Sequence, residues 1–187
     1  GDEKTIRQSI LEKDRVEAII VLPRDMFYTT DISVTLWIVN MNKHAGTVNG
    51  RQLRDRTNQV LFMDLRTWNQ NIEEIVIDKG KKKKKTVLTD GQIAKVKQVY
   101  NNWQSADTSL YKDVPEFCQS ATLDEIRAKD YSLAPSKYIE FIDHDLDIDY
   151  EKEMSRIQSE MKDVLKTEKK SQAMLEEAFR GIGYGID

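Results

Sequence analysis

The chain has 187 residues, long enough for one domain with a real core or for a small domain with an appendage. Its formal net charge of -3 gives no global drive toward nucleic acid, so any such contact needs a local patch, and its one cysteine, Cys118, excludes an internal disulfide and argues against a Cys-based metal cluster. With no apolar run near the roughly 18 residues that span a bilayer and no signal-peptide profile, a cytoplasmic protein without membrane contact is expected.

Ile6, Ile10 and Leu11 mark one face of a helix over Lys4 to Lys13. It precedes a strand over Val16 to Leu22, so the chain reads as beginning inside a fold, as the αβ half of a crossover whose first strand is missing. A second strand is expected over Val34 to Asn40. Both runs are near-continuously apolar and rich in Val, Ile and Trp, which predicts central strands covered on both faces. The segment between them carries Pro23, Met26, Phe27 and Tyr28 at a strand's carboxyl end, where open α/β sheets place their ligands.

Residues 41–59 are polar with Gly46 and Gly50 and predict a loop or flexible hairpin, followed by a third strand at Val60 to Leu65. Trp68, Ile72, Ile75 and Val76 fit helical spacing, although the run at 75–78 also suits a strand end. The lysines Lys81, Lys82, Lys83, Lys84 and Lys85 form a like-charge run, expected to be a solvated loop, with DNA phosphate contact as the functional alternative.

Thr89 and Gln92 form a capping box that opens a helix with Ile93, Val96, Val99, Tyr100 and Trp103 on its buried stripe. A short strand is expected at Glu116 to Gln119, with Cys118 as a small buried side chain, and Thr122 with Glu125 caps a brief second helix. Tyr131 to Phe141 reads as extended around Pro135. The acids at 143–149 suggest a hard-cation site, but they lack the glycine and terminal Glu of a calcium hand, and acids before a helix are favoured by its dipole alone; no metal is expected.

From Asp149 to Arg180 the spacing predicts one long helix of roughly 45 Å. Tyr150, Met154, Ile157, Met161, Val164, Leu175 and Ala178 continue a heptad seam that Leu165 and Phe179 widen and that only Glu168 and Ser171 interrupt. Such a seam calls for a partner helix. Gly181 and Gly183 end it.

The blocks VEAIIVLPRDMFYTTDISVTLWIVNMNK, VLFMDL, LTDGQIAKV, FCQSATLDEI and YSLAPSKYIE, in this order, resemble the C-terminal part of the modification subunit of type I restriction-modification systems. That family is an N6-adenine DNA methyltransferase using S-adenosylmethionine. The resemblance covers nearly the whole chain, from about Ile6 to the final helix. It implies an α/β fold: the C-terminal part of a Rossmann-like methyltransferase sheet in residues 1–65, a mixed helical α+β region in 66–148, and the long helix in 149–187 for subunit assembly.

The resemblance further implies DNA, a specificity subunit and a motor-nuclease restriction subunit as partners, with the seam residues Met154, Ile157, Met161, Val164, Leu165, Leu175, Ala178 and Phe179 facing the specificity subunit. Self-association of the fragment through the same seam stays open. Phe27, with Tyr28 second, matches the family's aromatic that stacks on the extruded base. Members commonly carry glycine where this chain has Asp31. The glycine-rich cofactor motif and the Asn-Pro-Pro-aromatic catalytic motif lie upstream in the family and neither occurs here. The fragment alone is therefore expected to bind no S-adenosylmethionine and to transfer no methyl group. The alternative is a non-catalytic interaction module that presents a coiled-coil helix.

Overall fold

The computed structural model describes residues 1–27, 30–76, 80, 82–142 and 149–184. It divides into two compact units, Gly1–Ile142 and Asp143–Asp187. In the first, helix α1 (Asp2–Glu12) places acids in its first turn, where they complement the helix dipole, and buries Leu11. Asp14, at φ 52, turns the chain into strand β1 (Val16–Val21).

Strand β2 (Thr35–Val39) pairs antiparallel with β1, placing Val39 opposite Val16 and Trp37 opposite Ile19. The hairpin of β3 (Gly46–Val48) and β4 (Arg51–Leu53) follows. It turns at Asn49 (φ 49) and Gly50 (φ 76), the two left-handed residues a tight hairpin needs. Strand β5 (Gln59–Asp64) runs parallel to β1 on its other side. Strands β6 (Ile72–Val76) and β7 (Lys82–Thr86) make a separate antiparallel hairpin.

Helix α2 (Asp90–Gln104) starts at the expected capping box: Thr89 Oγ1 accepts from Gln92 N–H at 3.2 Å, and Gln92 Oε1 accepts from Thr89 N–H at 2.9 Å. Strand β8 (Cys118–Thr122) then pairs antiparallel with β5, and the second capping box, Thr122 with Glu125, opens α3 (Leu123–Ala128). Among the described residues the main sheet has the order β2-β1-β5-β8, mixed parallel and antiparallel.

Alternation along the strands splits the core into two layers. Leu11, Val16, Ile19, Val60, Phe62 and Ile126 pack on the face covered by α1 and α3. There Phe62 stacks on Tyr138 with ring centroids 4.1 Å apart. Ala18, Ile20, Leu61, Met63 and Trp103 pack on the α2 face, with the Trp103 indole N–H donating to Ser120 Oγ at 2.9 Å. Cys118 is buried in this layer, and burial pushes its thiol pKa up.

Three expectations are corrected. β2 is an edge strand among the described residues, not a central one: Leu36, Trp37 and Val39 stay 48%, 41% and 58% exposed because, of the described strands, β1 alone flanks them. Lys82 to Lys85 form a strand instead of a loop, because Glu73 and Glu74 of β6 stand directly opposite Lys85 and Lys84 and relieve their repulsion; Lys81 lies outside the described residues. Residues 131–141 are not simply extended, since Pro135–Lys137 forms a 3-10 turn, with proline's fixed φ at the first helical position.

The second unit contains helix α4 (Tyr150–Gly181). The Asp149 carboxylate caps it, accepting from Lys152 N–H at 3.2 Å, and Arg156 pairs with Glu153 and Glu160 one turn away on either side. At its end Gly183 takes φ 85, and the Tyr184 N–H returns to the Phe179 carbonyl at 2.9 Å. Thirty-two residues make a rod of roughly 48 Å.

Candidate functional site

The connection between β1 and β2 leaves the sheet at the carboxyl end of β1. The Leu22 N–H donates to the Val34 carbonyl at 2.8 Å, extending the ladder past the strands. Pro23 is buried at this base. Arg24 Nε reaches across to the Asp31 carbonyl at 3.1 Å and ties the two ends of the arc together. Phe27 stands on that arc 42% exposed, a large apolar ring presented to solvent where a sheet of this kind receives ligands. Tyr28 lies outside the described residues.

The left-handed residue of the described arc is Asp25 (φ 61), not Asp31, so an aspartate where the resembled family carries glycine strains no backbone. Its carboxylate is instead used: Lys83 Nζ of β7 lies 2.8 Å from Asp31 Oδ1, and this hydrogen-bonded cation holds the Asp31 pKa below the usual carboxylate range. The Thr86 N–H donates to the Asp25 carbonyl at 2.9 Å. The structure thus brings Asp25 and Asp31, on either side of Phe27, against the lysine strand, two features far apart in sequence. On β7 the lysines alternate: Lys83 and Lys85 are half-buried, while Lys82 and Lys84 are exposed. At the same sheet end Asp64 is buried and clamped by Arg66, whose guanidinium donates from Nε and one terminal nitrogen at 3.0 and 2.6 Å.

At the opposite end of β1 lies a charged network that sequence reasoning missed. Glu17 and Arg56 are both buried and pair at 2.9 Å. Glu17 also accepts from Asn40 Nδ2 at 2.6 Å and from Gln104 Nε2 at 3.1 Å. Burial opposes ionisation of Glu17, but the hydrogen bonds from Gln104, Asn40 and Arg56 outweigh it and keep the pKa low. Lys43 is buried alongside, donating to Asp14 Oδ1 at 2.5 Å, the Gln59 carbonyl at 2.6 Å and the Val16 carbonyl at 3.0 Å. A cavity of about 450 Å³ opens over this network, floored by Glu17, Arg56, Tyr100 and Gln104. The Glu17 carboxylate is fully engaged, so the network's chemistry is structural: it locks β1 to α2 and to the segment before β5. No local pattern announces it, since its members come from distant parts of the chain.

The seam residues of α4 are where their spacing puts them. Met154, Ile157, Met161, Val164, Leu165 and Leu175 are exposed, as is Ala178, while Phe179 is half-buried; the helix has no buried residue among those described. The acidic run is outside the described residues at 143–148, leaving Asp149 as a helix cap. Among the described residues no group of three or more His, Cys, Asp or Glu could hold a metal ion. The described residues show no glycine-rich strand-to-helix turn: Pro23 follows β1, Gly46 and Gly50 belong to the β3–β4 hairpin, Gly80 lies between β6 and β7, and Gly91 stands alone in the first turn of α2.

The family model for N-6 DNA methylases matches residues 1–146. Over 185 residues the chain is 28% identical to the methylase subunit of the type I restriction enzyme HindI of Haemophilus influenzae, covering 98% of this chain and 37% of that one. It is 32% identical over 184 residues to the MjaVII methylase subunit of Methanocaldococcus jannaschii, covering 98% of this chain and 26% of that one. A crystal structure of the methyltransferase subunit of a type I restriction-modification system from Streptococcus thermophilus matches with a TM-score of 0.52 at 27% identity, over 76% of this chain and 24% of that one. The chain therefore spans little more than a third, or less, of the length of these relatives. With most of its residues inside the matched span, it belongs to the N-6 DNA methylase family.

Proposed function

We propose that this chain is the C-terminal part of the modification subunit of a type I restriction-modification system, an enzyme that methylates N6 of adenine in DNA. Its own share of the work is to complete the target-base pocket and to assemble the subunits. One observation carries the reading: within a chain of this family, an antiparallel β1–β2 pair is joined at the carboxyl end of β1 by an arc presenting Phe27. An adenine can be methylated only after it leaves the base stack, and an exposed aromatic ring offers the extruded base a face to stack on.

The free edge of β2 supports the wider sheet of a Rossmann-like methyltransferase. A strand with apolar side chains on both faces and an unpaired backbone edge is unsuited to open solvent, and a further strand of the same polypeptide satisfies both. S-adenosylmethionine, bound elsewhere in the complete subunit, supplies the methyl group. Around the pocket, Lys82 and Lys84, the exposed lysines of β7, contribute phosphate contacts whose strength falls with salt. The seam of α4 packs on long helices of the specificity subunit, and the motor-nuclease subunit joins that assembly.

In the complete enzyme, Phe27→Ala should lower DNA methylation roughly tenfold to a hundredfold, as loss of one base–aromatic stack does, with S-adenosylmethionine affinity little changed. Equal losses in both, or no loss of methylation, overturn the base-pocket role. Methyl transfer to DNA by the isolated chain overturns the division of labour. A second reading, a non-catalytic module that only presents α4 to a partner or to a second copy, draws on the helix's lack of any buried residue. It expects Met161→Glu with Val164→Glu to abolish subunit capture while Phe27→Ala changes nothing.

A further inference from the structure

Among the described residues, the arc that bears Phe27 is held at two points by strand β7. Ahead of Phe27, the Asp25 carbonyl accepts from the Thr86 N–H of β7 at 2.9 Å; beyond it, the Asp31 carboxylate meets Lys83 Nζ at 2.8 Å. Both anchors lie on β7, and Arg24 closes the arc between them through the Asp31 carbonyl at 3.1 Å. The strand's period assigns its lysines to opposite sides. Lys83 points toward the arc, its side chain 24% exposed, whereas Lys82 and Lys84 project outward about 6.8 Å apart, near the spacing of successive phosphates on one DNA strand.

We infer that the lysine hairpin is a positioning element for the target base: Lys83, acting through Asp31, fixes the arc that presents Phe27, while Lys82 and Lys84 on the other side of the same strand grip the DNA backbone beside the extruded nucleotide. This rests on the base-pocket reading above. The same strand, paired along its length with β6, carries both sides, so seating the backbone on the outer lysines sets the place of the ring. Glu74 stands opposite Lys84 and pairs with Lys82 at 3.1 Å on that outer face. Such an exposed pair is weak enough for a phosphate to displace the carboxylate. The aspartate at 31, where the resembled family carries glycine, gains a role as the anchor.

The test uses the complete enzyme with its partner subunits and a target duplex carrying 2-aminopurine in place of the methylated adenine, whose emission reads the extruded fraction. Asp31→Asn and Lys83→Gln should each lower that fraction roughly two- to fivefold, the effect of losing one partly exposed ion pair, while DNA affinity changes less than about twofold. The exchange of Asp31→Lys with Lys83→Asp should restore it. Lys82→Gln with Lys84→Gln should instead flatten the plot of log affinity against log salt by about 1.8, narrowing the affinity gap between roughly 50 and 200 mM salt about tenfold. Glu74→Gln should tighten binding. If Asp31→Asn and Lys83→Gln merely lower thermal stability and leave the extruded fraction intact, while Phe27→Ala still changes it, the positioning role is wrong and the base pocket stands. If Phe27→Ala also leaves it intact, the base-pocket reading itself has failed. An unchanged salt slope removes the backbone contact.

Discussion

Strands β1 and β2 lie side by side, are built from the same kinds of residue, and end up in opposite surroundings. Val16 and Val39 face each other in register, yet Val16 is 1% exposed and Val39 58%. β1 has β5 on its far side and helices over both faces; among the described strands β2 has only β1. An apolar strand is stable where its side chains are covered, so a gap between hydrophobicity and burial marks a surface suited to a partner. Helix α4 repeats the lesson, with an apolar seam interrupted only at Glu168 and Ser171 and no buried residue.

The sharpest break of that contrast lies inside β1 itself. Glu17→Gln leaves Arg56 buried beside a neutral amide and should destabilise the chain by about 3–5 kcal/mol in urea denaturation; a loss under about 1 kcal/mol would show that solvent reaches the pair. The contrast between the strands is measured by two identical truncations. Val16→Ala should cost about 2 kcal/mol and Val39→Ala about 0.5 kcal/mol in this chain, because one removes filled volume and the other exposed surface. In the complete subunit the Val39→Ala cost should climb toward that of Val16→Ala, and equal values in both contexts would refute a covered β2. Thr122→Ala removes the cap of α3, on the buried side of the sheet, at about 1 kcal/mol.

The smallest effect is electrostatic. Hydrogen bonds from Arg127 and Tyr131 pull the Glu12 pKa from its ordinary 4.5 down to about 2. A lowered folded-state pKa means the unfolded chain takes up the proton first, so this contribution is complete above about pH 4.5 and drains away as pH falls toward 2. Melting temperatures recorded across that window should fall less steeply for Glu12→Gln than for the parent chain.

Local signals in the sequence were reliable where one turn of backbone decides the outcome. Both capping boxes, at Thr89 and Thr122, open helices, and β1 and β5 lie within two residues of their apolar runs. Two features needed tertiary knowledge. The lysines read as a loop because like charges repel, and the register that sets Glu73 and Glu74 against them is not written in the lysines themselves. The Glu17–Arg56–Gln104 network joins residues up to 87 positions apart, and a lone Glu in an apolar run gives no hint of its partners. At the candidate site, Phe27 was legible from its place after a strand, whereas the anchoring of its arc through Asp31 was not.

Cys118 gives the chain a built-in clock. The only thiol sits 1% exposed on β8, with its pKa raised by burial, so the native sheet hides it and keeps it protonated. A thiol-labelling reagent can then attach only as fast as β8 peels away from β5, and the labelling rate times the opening of that edge without any engineered probe.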